Sequence, residues 1–535
     1  MFNRNRKKKQ LILESFGQIK EDSFDFDLIE KYHKNKDNSN SFQVISDKTC
    51  NDIDFEELFM FLDRTNSKVG QQYLFNLLRV ITLKSNNHER DEILIKKITE
   101  DSALRANIQI QLDKLNKDEA YYISSLFQEE QLHPPKWFSI IPILSFTSVL
   151  SLIGVFYNPT FIFILLGVFL INLIVHFWNK RNLYQYYGSI PYLLALNNIA
   201  RRLFKNELFK GINPNLLKSI KIIDTVRNRM SFFKFDIKFN TNYEIVFWTI
   251  LEFVKIIFLL EPLLLFSVLK QLNSKRQEID DVFSFVGKID SLLSIASLRT
   301  GLDSYCLPEI LSANKNLKAS KVYHPLIVNC IENSIDVDNK SILLTGSNMS
   351  GKTSFIRTIG INSITGLTIN TCFAEKFAMP KLRIHSAIRI SDDLMNDKSY
   401  YFEEVSTIKN MIKCSIEGIP NLFLLDEIFK GTNTIERIAA GKAVLSYLSG
   451  NTNIVFVSTH DIELTELLKD EFELYHFSEL VKDNSVDFDY KLKEGKLKNR
   501  NAIRILQLNE YPQELINEAI KISNEINEVT KLVLE

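Results

Sequence analysis

The chain has 535 residues, 45% of them hydrophobic, and its 65 Lys plus Arg are balanced by 65 Asp plus Glu, for a formal net charge of zero. That length predicts three or four domains with ample material for packed cores, and the neutral balance removes bulk charge as an argument for nucleic-acid binding, which would need a local patch. The five cysteines (Cys50, Cys306, Cys330, Cys372, Cys414) are scattered without a C-x-x-C pair, which fits core packing in a reducing compartment and neither a disulfide framework nor a zinc site.

The first ten residues, MFNRNRKKKQ, are basic, but the segment after them is interrupted by Glu14, Lys20, Glu21 and Asp22. The continuous apolar run of a secretory signal is missing, so a cytosolic N-terminus is expected. The basic run reads as a solvated tail, with contact to anionic lipid or nucleic acid as the sharper alternative. Residues 34–52 are rich in Lys, Asn, Asp and Ser and read as a linker, so 1–54 are expected to be tail and linker. From there the pattern is helical. Phe55, Leu58, Phe59 and Leu62 share one face, a second helix runs through Tyr73, Leu74, Leu77 and Leu78, and residues 55–136 read as a helical core.

The composition then changes. Residues 137–157 and 161–178 are apolar runs without Asp, Glu, Lys or Arg, each of about membrane-spanning length, roughly 20 residues. Asn158-Pro159 is a turn signal between them, and Trp137, Tyr157 and Trp178 mark the ends as interfacial aromatics do. Lys136 precedes the first run and Lys180-Arg181 follow the second, so the positive-inside rule predicts a hairpin with both outer ends in the cytosol. A buried hairpin in a soluble core is the alternative, but such a pair normally carries a polar stripe.

Residues 179–318 return to helical core or lever composition. The apolar stretch 245–269 contains Glu252, Lys255, Glu261 and Pro262, which suits a buried or membrane-surface helix better than a third span, with Glu252 and Lys255 placed to pair. A third crossing would also put the nucleotide site outside the cell. One long helix is expected from Lys270 to Leu302, ended by Leu307-Pro308, and Asp336 to Asn339 reads as a polar turn.

Residues 319–535 alternate strand-like and helical runs, which predicts an α/β domain with a mostly parallel sheet. The fold class expected for the whole chain is therefore α plus α/β, with a transmembrane hairpin inserted in the all-α region. Its chemistry is concentrated at SILLTGSNMSGKTSFIRTIG, where Gly346, Ser347, Asn348, Met349, Ser350, Gly351, Lys352 and Thr353 fit G-x-x-x-x-G-K-[ST] between a strand and a helix opening with Ser354. The glycines let backbone N–H groups face phosphates, Lys352 adds a point charge, and the Thr353 hydroxyl can hold Mg²⁺. Leu422 to Leu425 ends in Asp426-Glu427, placed for Mg²⁺ binding and for orienting or deprotonating a water. Ile454 to Val457 ends in Ser458-Thr459-His460, where His460 is a candidate for the γ-phosphate or that water. Ser391 to Asp393 form a polar loop, and Ser399 reads by itself as a helix cap. Gly431 to Thr434 form a turn suited to a subunit boundary.

Together these words, TGSNMSGKTSFIRTIG, SDDLMNDKSYYFEEV, LFLLDEIFKGTNTIE and VFVSTHDIEL, resemble the MutS family of ATPases within the ABC-type superfamily. FEELFMFLDRTNSKVGQQYL is similar to the opening of that family's core, IDSLLSIASLRTGLDSYCLPEI to its last lever segment, and YKLKEGKLKNRNAIRILQLNEYPQELINEA to its closing segment. The resemblance implies a homodimer with two composite ATP sites, each taking Lys352, Thr353, Asp426, Glu427 and His460 from one subunit and Ser399 from the other. Ser347 and Ser350 stand where the family commonly has Pro and Gly, and its Gln-bearing loop is poorly matched near Asn370 to Ala374. With about 54 residues before the core, neither the mismatch-recognition nor the connector domain is expected. The combined expectation is a membrane-anchored MutS-related ATPase of the inner or cytoplasmic membrane, using ATP and Mg²⁺, with DNA as a candidate partner. Its competitor is an ATP-dependent membrane scaffold acting on proteins. A transporter half fits less well, lacking an LSGGQ-type signature and having two spans.

Overall fold

The computed structural model describes residues 10–83, 88–129, 136–182, 184–230, 252–312, 314–347, 349–389, 400–482, 485–497 and 511–534. Contacts divide the chain into two units. One comprises Met1–Asn40, Leu62–Arg79 and Lys84–Leu302; the other comprises Ser41–Phe61, Val80–Leu83 and Asp303–Glu535.

The first unit is helical, and its main helices are α1 (Lys68–Arg79), α2 (Ile140–Val155), α3 (Phe161–Asn182), α4 (Leu260–Asn273) and α5 (Arg276–Thr300). Helix α5 is buried along most of its length and packs on α1; Leu74 and Leu78 on α1 and Phe283, Val286 and Ile289 on α5 are all buried. Asp290 on α5 accepts the backbone N–H groups of Asn66 and Ser67, both at 2.9 Å, and so satisfies donors at the start of α1. The approach is so close that a Cβ at Gly70 would lie 2.1 Å from Asp290 Oδ2. The long helix expected from Lys270 to Leu302 is interrupted. Ser274 Oγ turns back to the Gln271 carbonyl (2.9 Å) and Lys275 leaves helical geometry at φ −127°, ψ 27°, a local competition typical of Asn-Ser sequences.

Helices α2 and α3 pack side by side and are long and apolar enough to cross a membrane. Most of their large apolar side chains face outward, with Phe146 63% exposed and Phe163 74%, the reverse of a hairpin buried in a soluble core. Apart from Ile141, their buried positions are instead polar. Asn172 donates to Ser148 Oγ (3.2 Å) and to the Ile257 carbonyl (2.8 Å), and Ser145 donates to the Phe258 carbonyl (2.8 Å). Trp137 and Trp178 meet edge to face with centroids 4.8 Å apart.

Of the stretch 245–269, residues 245–251 lie outside the described residues. Residues 252–258 are helical, Leu259 breaks the run at φ +45°, and Pro262 falls in the first turn of α4, where its missing N–H is tolerated. The expected Glu252–Lys255 pair forms at 3.4 Å within a larger buried group: Lys255 Nζ lies 2.9 Å from Glu261, and His176 Nε2 lies 3.1 Å from Glu252. Charges withdrawn from water to this extent are tolerable only as a compensated set.

The second unit holds strands β1 (Ser341–Thr345), β2 (Arg383–Ala387), β3 (Asn421–Asp426), β4 (Ile454–Ser458), β5 (Phe472–His476) and β6 (Lys493–Glu494), with helices α6 (Lys352–Ile369), α7 (Tyr400–Ser415) and α8 (Thr434–Leu448). The six strands form one sheet in the order β6-β5-β1-β4-β3-β2, parallel throughout except for the antiparallel edge pair β6–β5. β1 and β4 are fully buried, as continuous apolar strands covered on both faces should be. A smaller four-stranded sheet combines Asn316–Val322, Asn333–Asp338, Lys376–Pro380 and Glu309–Leu311. The turn expected at Asp336 to Asn339 is narrower, because Asp336 and Asp338 occupy the outward positions of an alternating strand and only Asn339 bends, at φ +61°.

Residues 34–52, expected as a linker, include a helix (Asp47–Asp52) and a short strand (Gln43–Val44) paired with Val80–Ile81. Their polar side chains are structural. Asp52 is 1% exposed and accepts from Ser386 Oγ (2.6 Å) and from the Ile388 and Arg389 N–H groups (3.0 and 2.8 Å), while Asp54 pairs with Arg357 at 2.9 Å. On the adjacent helix Phe55, Leu58, Phe59 and Leu62 are all buried, as their spacing requires.

Lys255→Met would strand Glu252 and Glu261 without their shared cation. It should cost about 3 kcal/mol or more, read as a lowered denaturant midpoint in detergent; a midpoint equal to the parent's would show that the group is not coupled.

Candidate active site

Strand β1 runs straight into the phosphate loop. Gly346 (φ +149°) and Gly351 (φ +105°) bracket it, both in the region that favours glycine, and a Cβ at Gly346 would fall 2.7 Å from the Phe477 carbonyl. Helix α6 begins at Lys352, so its first N–H groups point back toward the loop. The Lys352 ammonium lies against the loop itself, donating to the Gly346 and Ser347 carbonyls at 2.8 Å each, and burial lowers its pKa. Met349 adopts φ +69° with its side chain in solvent, and Ser354 follows in the first turn of α6. Asn348 lies outside the described residues.

Three parallel strand ends supply the other groups. β4 sits between β1 and β3, with Ser458 opposite Asp426. Thr353 Oγ1 donates to Asp426 Oδ2 at 2.7 Å, and Ser458 Oγ donates to Asp426 Oδ1, so both carboxylate oxygens are engaged. Glu427 follows at φ +48°, its N–H bonded to the Ser458 carbonyl at 2.9 Å. Its carboxylate meets His460 Nε2 and Lys430 Nζ, each at 2.9 Å. The hydrogen bond from His460, aided by Lys430, holds the Glu427 pKa down to about 2, so this carboxylate is ionised across the neutral range.

These groups border a cavity of about 510 Å³ lined by Lys352, Thr353, Glu427, His324, Phe477 and Tyr490. The buried hydroxyls of Ser347 and Ser350 have no hydrogen-bond partner among the described residues. Unused donors on a loop with an ammonium and a helix N-terminus suit phosphate oxygens, and the Thr353–Asp426 pair offers hard oxygen ligands that suit Mg²⁺. The residues therefore fit a nucleoside triphosphate with its metal.

The geometry thus gathers Lys352, Thr353, Asp426, Glu427 and His460 into one place. Ser399 and the Ser391 to Asp393 loop lie outside the described residues, as do Asn501 and Ala502. Asn433, expected near a subunit boundary, caps α8 by accepting the Glu436 N–H at 3.0 Å. Sequence reasoning assigned no role to Ser458, although its place at a strand end beside the acidic strand was a usable signal. It also missed Lys430, whose approach to Glu427 depends on a left-handed turn that no local pattern announces.

The profile of MutS domain V matches residues 342–527. The chain is 29% identical over 290 residues to the DNA mismatch repair protein MutS of Listeria welshimeri, covering 51% of this chain and 33% of that protein. It is 28% identical over 263 residues to the DNA mismatch repair protein MutS of Aquifex pyrophilus, covering 47% and 30%. It is also 28% identical over 276 residues to the DNA mismatch repair protein MSH3 of Kluyveromyces lactis, covering 48% and 26%. The chain thus carries a MutS domain V and is MutS-like over about half its length, while the matches span about a third or less of these relatives.

His324 in the cavity wall is held to about pH 4 by burial and by Arg357, and its Nδ1 accepts the Leu326 N–H at 3.3 Å. The unfolded chain binds that proton near pH 6.5 and the folded one near 4, so stability should be full above 6.5 and fall as pH drops toward 4, by roughly 3 kcal/mol in total. His324→Asn keeps an acceptor without a titrating ring. Denaturant midpoints across that window should slope less for the variant, and equal slopes would remove His324 as the cause.

Proposed function

We propose that this chain is a membrane-anchored, Mg²⁺-dependent ATPase of MutS type, working as a homodimer with composite sites. Its N-terminus and nucleotide unit would face the cytosol at the inner or cytoplasmic membrane. The observation that carries the reading is the 2.7 Å bond between Thr353 and Asp426 beside Lys352 and the Glu427–His460 pair. Thr353 and Asp426 would hold Mg²⁺, which when bound draws charge from phosphate oxygens. The loop N–H groups from Gly346 to Ser354 and the Lys352 ammonium would bind the triphosphate, and Ser399 of the second copy would complete the site.

Glu427 is well suited to one task. Held beside His460 and Lys430, its carboxylate would orient or deprotonate the attacking water. His460 fixes the direction of that carboxylate. The hairpin α2–α3, with its outward apolar side chains, supports the membrane anchor. Nucleotide-driven closure would move the helical arms. The relatives' names support DNA as their substrate, without mismatch recognition being inherited. A second reading is an ATP-driven membrane scaffold acting on proteins, because the neutral net charge supplies no argument for nucleic acid.

Purified protein should hydrolyse ATP with Mg²⁺, and Lys352→Ala should abolish turnover; a Lys352→Ala form as active as the parent would defeat the assignment. Glu427→Gln should bind ATP, lose turnover by about a hundredfold or more and give a more stable dimer, and unchanged turnover would remove Glu427 from its role. Deleting residues 137–178 should release the protein from the membrane fraction. DNA affinity that falls steeply between low and high salt separates the two readings, because phosphate contacts release counterions; no binding to duplex, branched or mismatched DNA favours the scaffold.

A further inference from the structure

The turn that presents Glu427 has an unusual backbone. Two of its three residues, Glu427 (φ +48°) and Phe429 (φ +61°), are left-handed without being glycine. Such conformations persist only where the surroundings over-determine them, and they cluster where a side chain has to be aimed. Two hydrogen bonds tie its backbone N–H groups to other elements. The Glu427 N–H is bonded to the Ser458 carbonyl at 2.9 Å, and the Phe429 N–H is bonded to Oε1 of Glu404 at 2.5 Å.

Glu404 is on α7, is 0% exposed, and lies 25 residues before its partner in the chain. A fully buried glutamate is costly unless its carboxyl is hydrogen-bonded. Burial raises its pKa, and the Phe429 N–H, Lys430 and Lys48 oppose that shift. Its second oxygen, Oε2, is buried and makes no hydrogen bond among the described residues. The carboxyl therefore directs its one bond to the backbone of the turn that carries Glu427.

We propose that Glu404 is a positioning residue for hydrolysis: by holding the Phe429 N–H it fixes the left-handed turn that aims the Glu427 carboxylate at His460 and Lys430. This deepens the ATPase reading and rests on it. Without the acceptor, the Phe429 N–H would lose its bond to Oε1, the turn would relax toward ordinary φ values, and Glu427 would swing out of register with His460.

The test measures ATP turnover and binding of a non-hydrolysable ATP analogue in the full-length, detergent-solubilised protein. Glu404→Ala should lower kcat by roughly tenfold to a hundredfold, the cost of a displacement near 1 Å, with KM and analogue affinity within about twofold of the parent. Glu404→Gln keeps the accepting oxygen and should restore kcat to within about threefold. Glu404→Asp keeps the charge but withdraws the acceptor by one methylene, so it should lose turnover as the alanine form does. It also serves if the alanine form does not fold. In a Glu427→Gln background, Glu404→Ala should have no further effect, since it acts through Glu427.

A parent that hydrolyses no ATP would defeat the ATPase reading itself. An active parent whose Glu404→Asp form keeps full kcat would overturn the positioning role alone. So would a kcat loss in Glu404→Asp that Glu404→Gln shares, or one matched by an equal loss of analogue binding.

Discussion

Everything at the candidate site depends on one carboxylate having both oxygens spoken for. Asp426 takes Thr353 on one side and Ser458 on the other, and these come from the start of α6 and the end of β4. That arrangement exists only because β1, β4 and β3 are adjacent and parallel, which brings three carboxyl ends to one edge of the sheet. Were β4 antiparallel to its two neighbours, Ser458 and His460 would emerge at the edge opposite the phosphate loop and the acidic pair. The strand order is thus a requirement of the chemistry, and the cross-links between strand ends, such as the Thr459 N–H on the Leu344 carbonyl at 3.0 Å, keep the edge in register.

The two units handle buried charge differently. In the helical unit Lys255, Glu252, Glu261 and His176 compensate one another in a group closed off from solvent. At the candidate site the charges are only partly covered, with the His460 and Lys430 side chains 39% and 47% exposed. The first arrangement trades desolvation for a fixed geometry. The second leaves room for a charged ligand to enter and compete for the same partners.

Short motifs were legible because their chemistry is local. The phosphate loop, Asp426-Glu427 and His460 each announce themselves within a few residues, and the apolar face of Phe55 to Leu62 follows from spacing alone. The features that escaped reading were carried by partners far apart in sequence. Residues 34–52 look like a linker because Asp52 and its neighbours are polar, yet Asp52 is polar in order to satisfy backbone N–H groups of Ile388 and Arg389. Glu404 looks like an ordinary helix acid, since nothing within a turn of it mentions Phe429. The break at Ser274 was hidden by an apolar rhythm that continues on both sides of it. Polar residues that serve distant backbone carry no local signature, and in this chain they hold much of the site in shape.

The discontinuous make-up of the nucleotide unit sets an order of assembly. Asp52 is separated by 334 to 337 residues from the groups it binds, and Asp54 by 303 from Arg357. During synthesis Gln43–Val44 can pair early with Val80–Ile81, but Asp52 and Asp54 emerge long before Ser386, Ile388, Arg389 and Arg357 exist. The apolar hairpin emerges in between. These two carboxylates therefore find their partners only late in translation, and closing so large a loop is intrinsically slow. A chain built this way completes its discontinuous unit last, with its earliest and latest segments closing on each other.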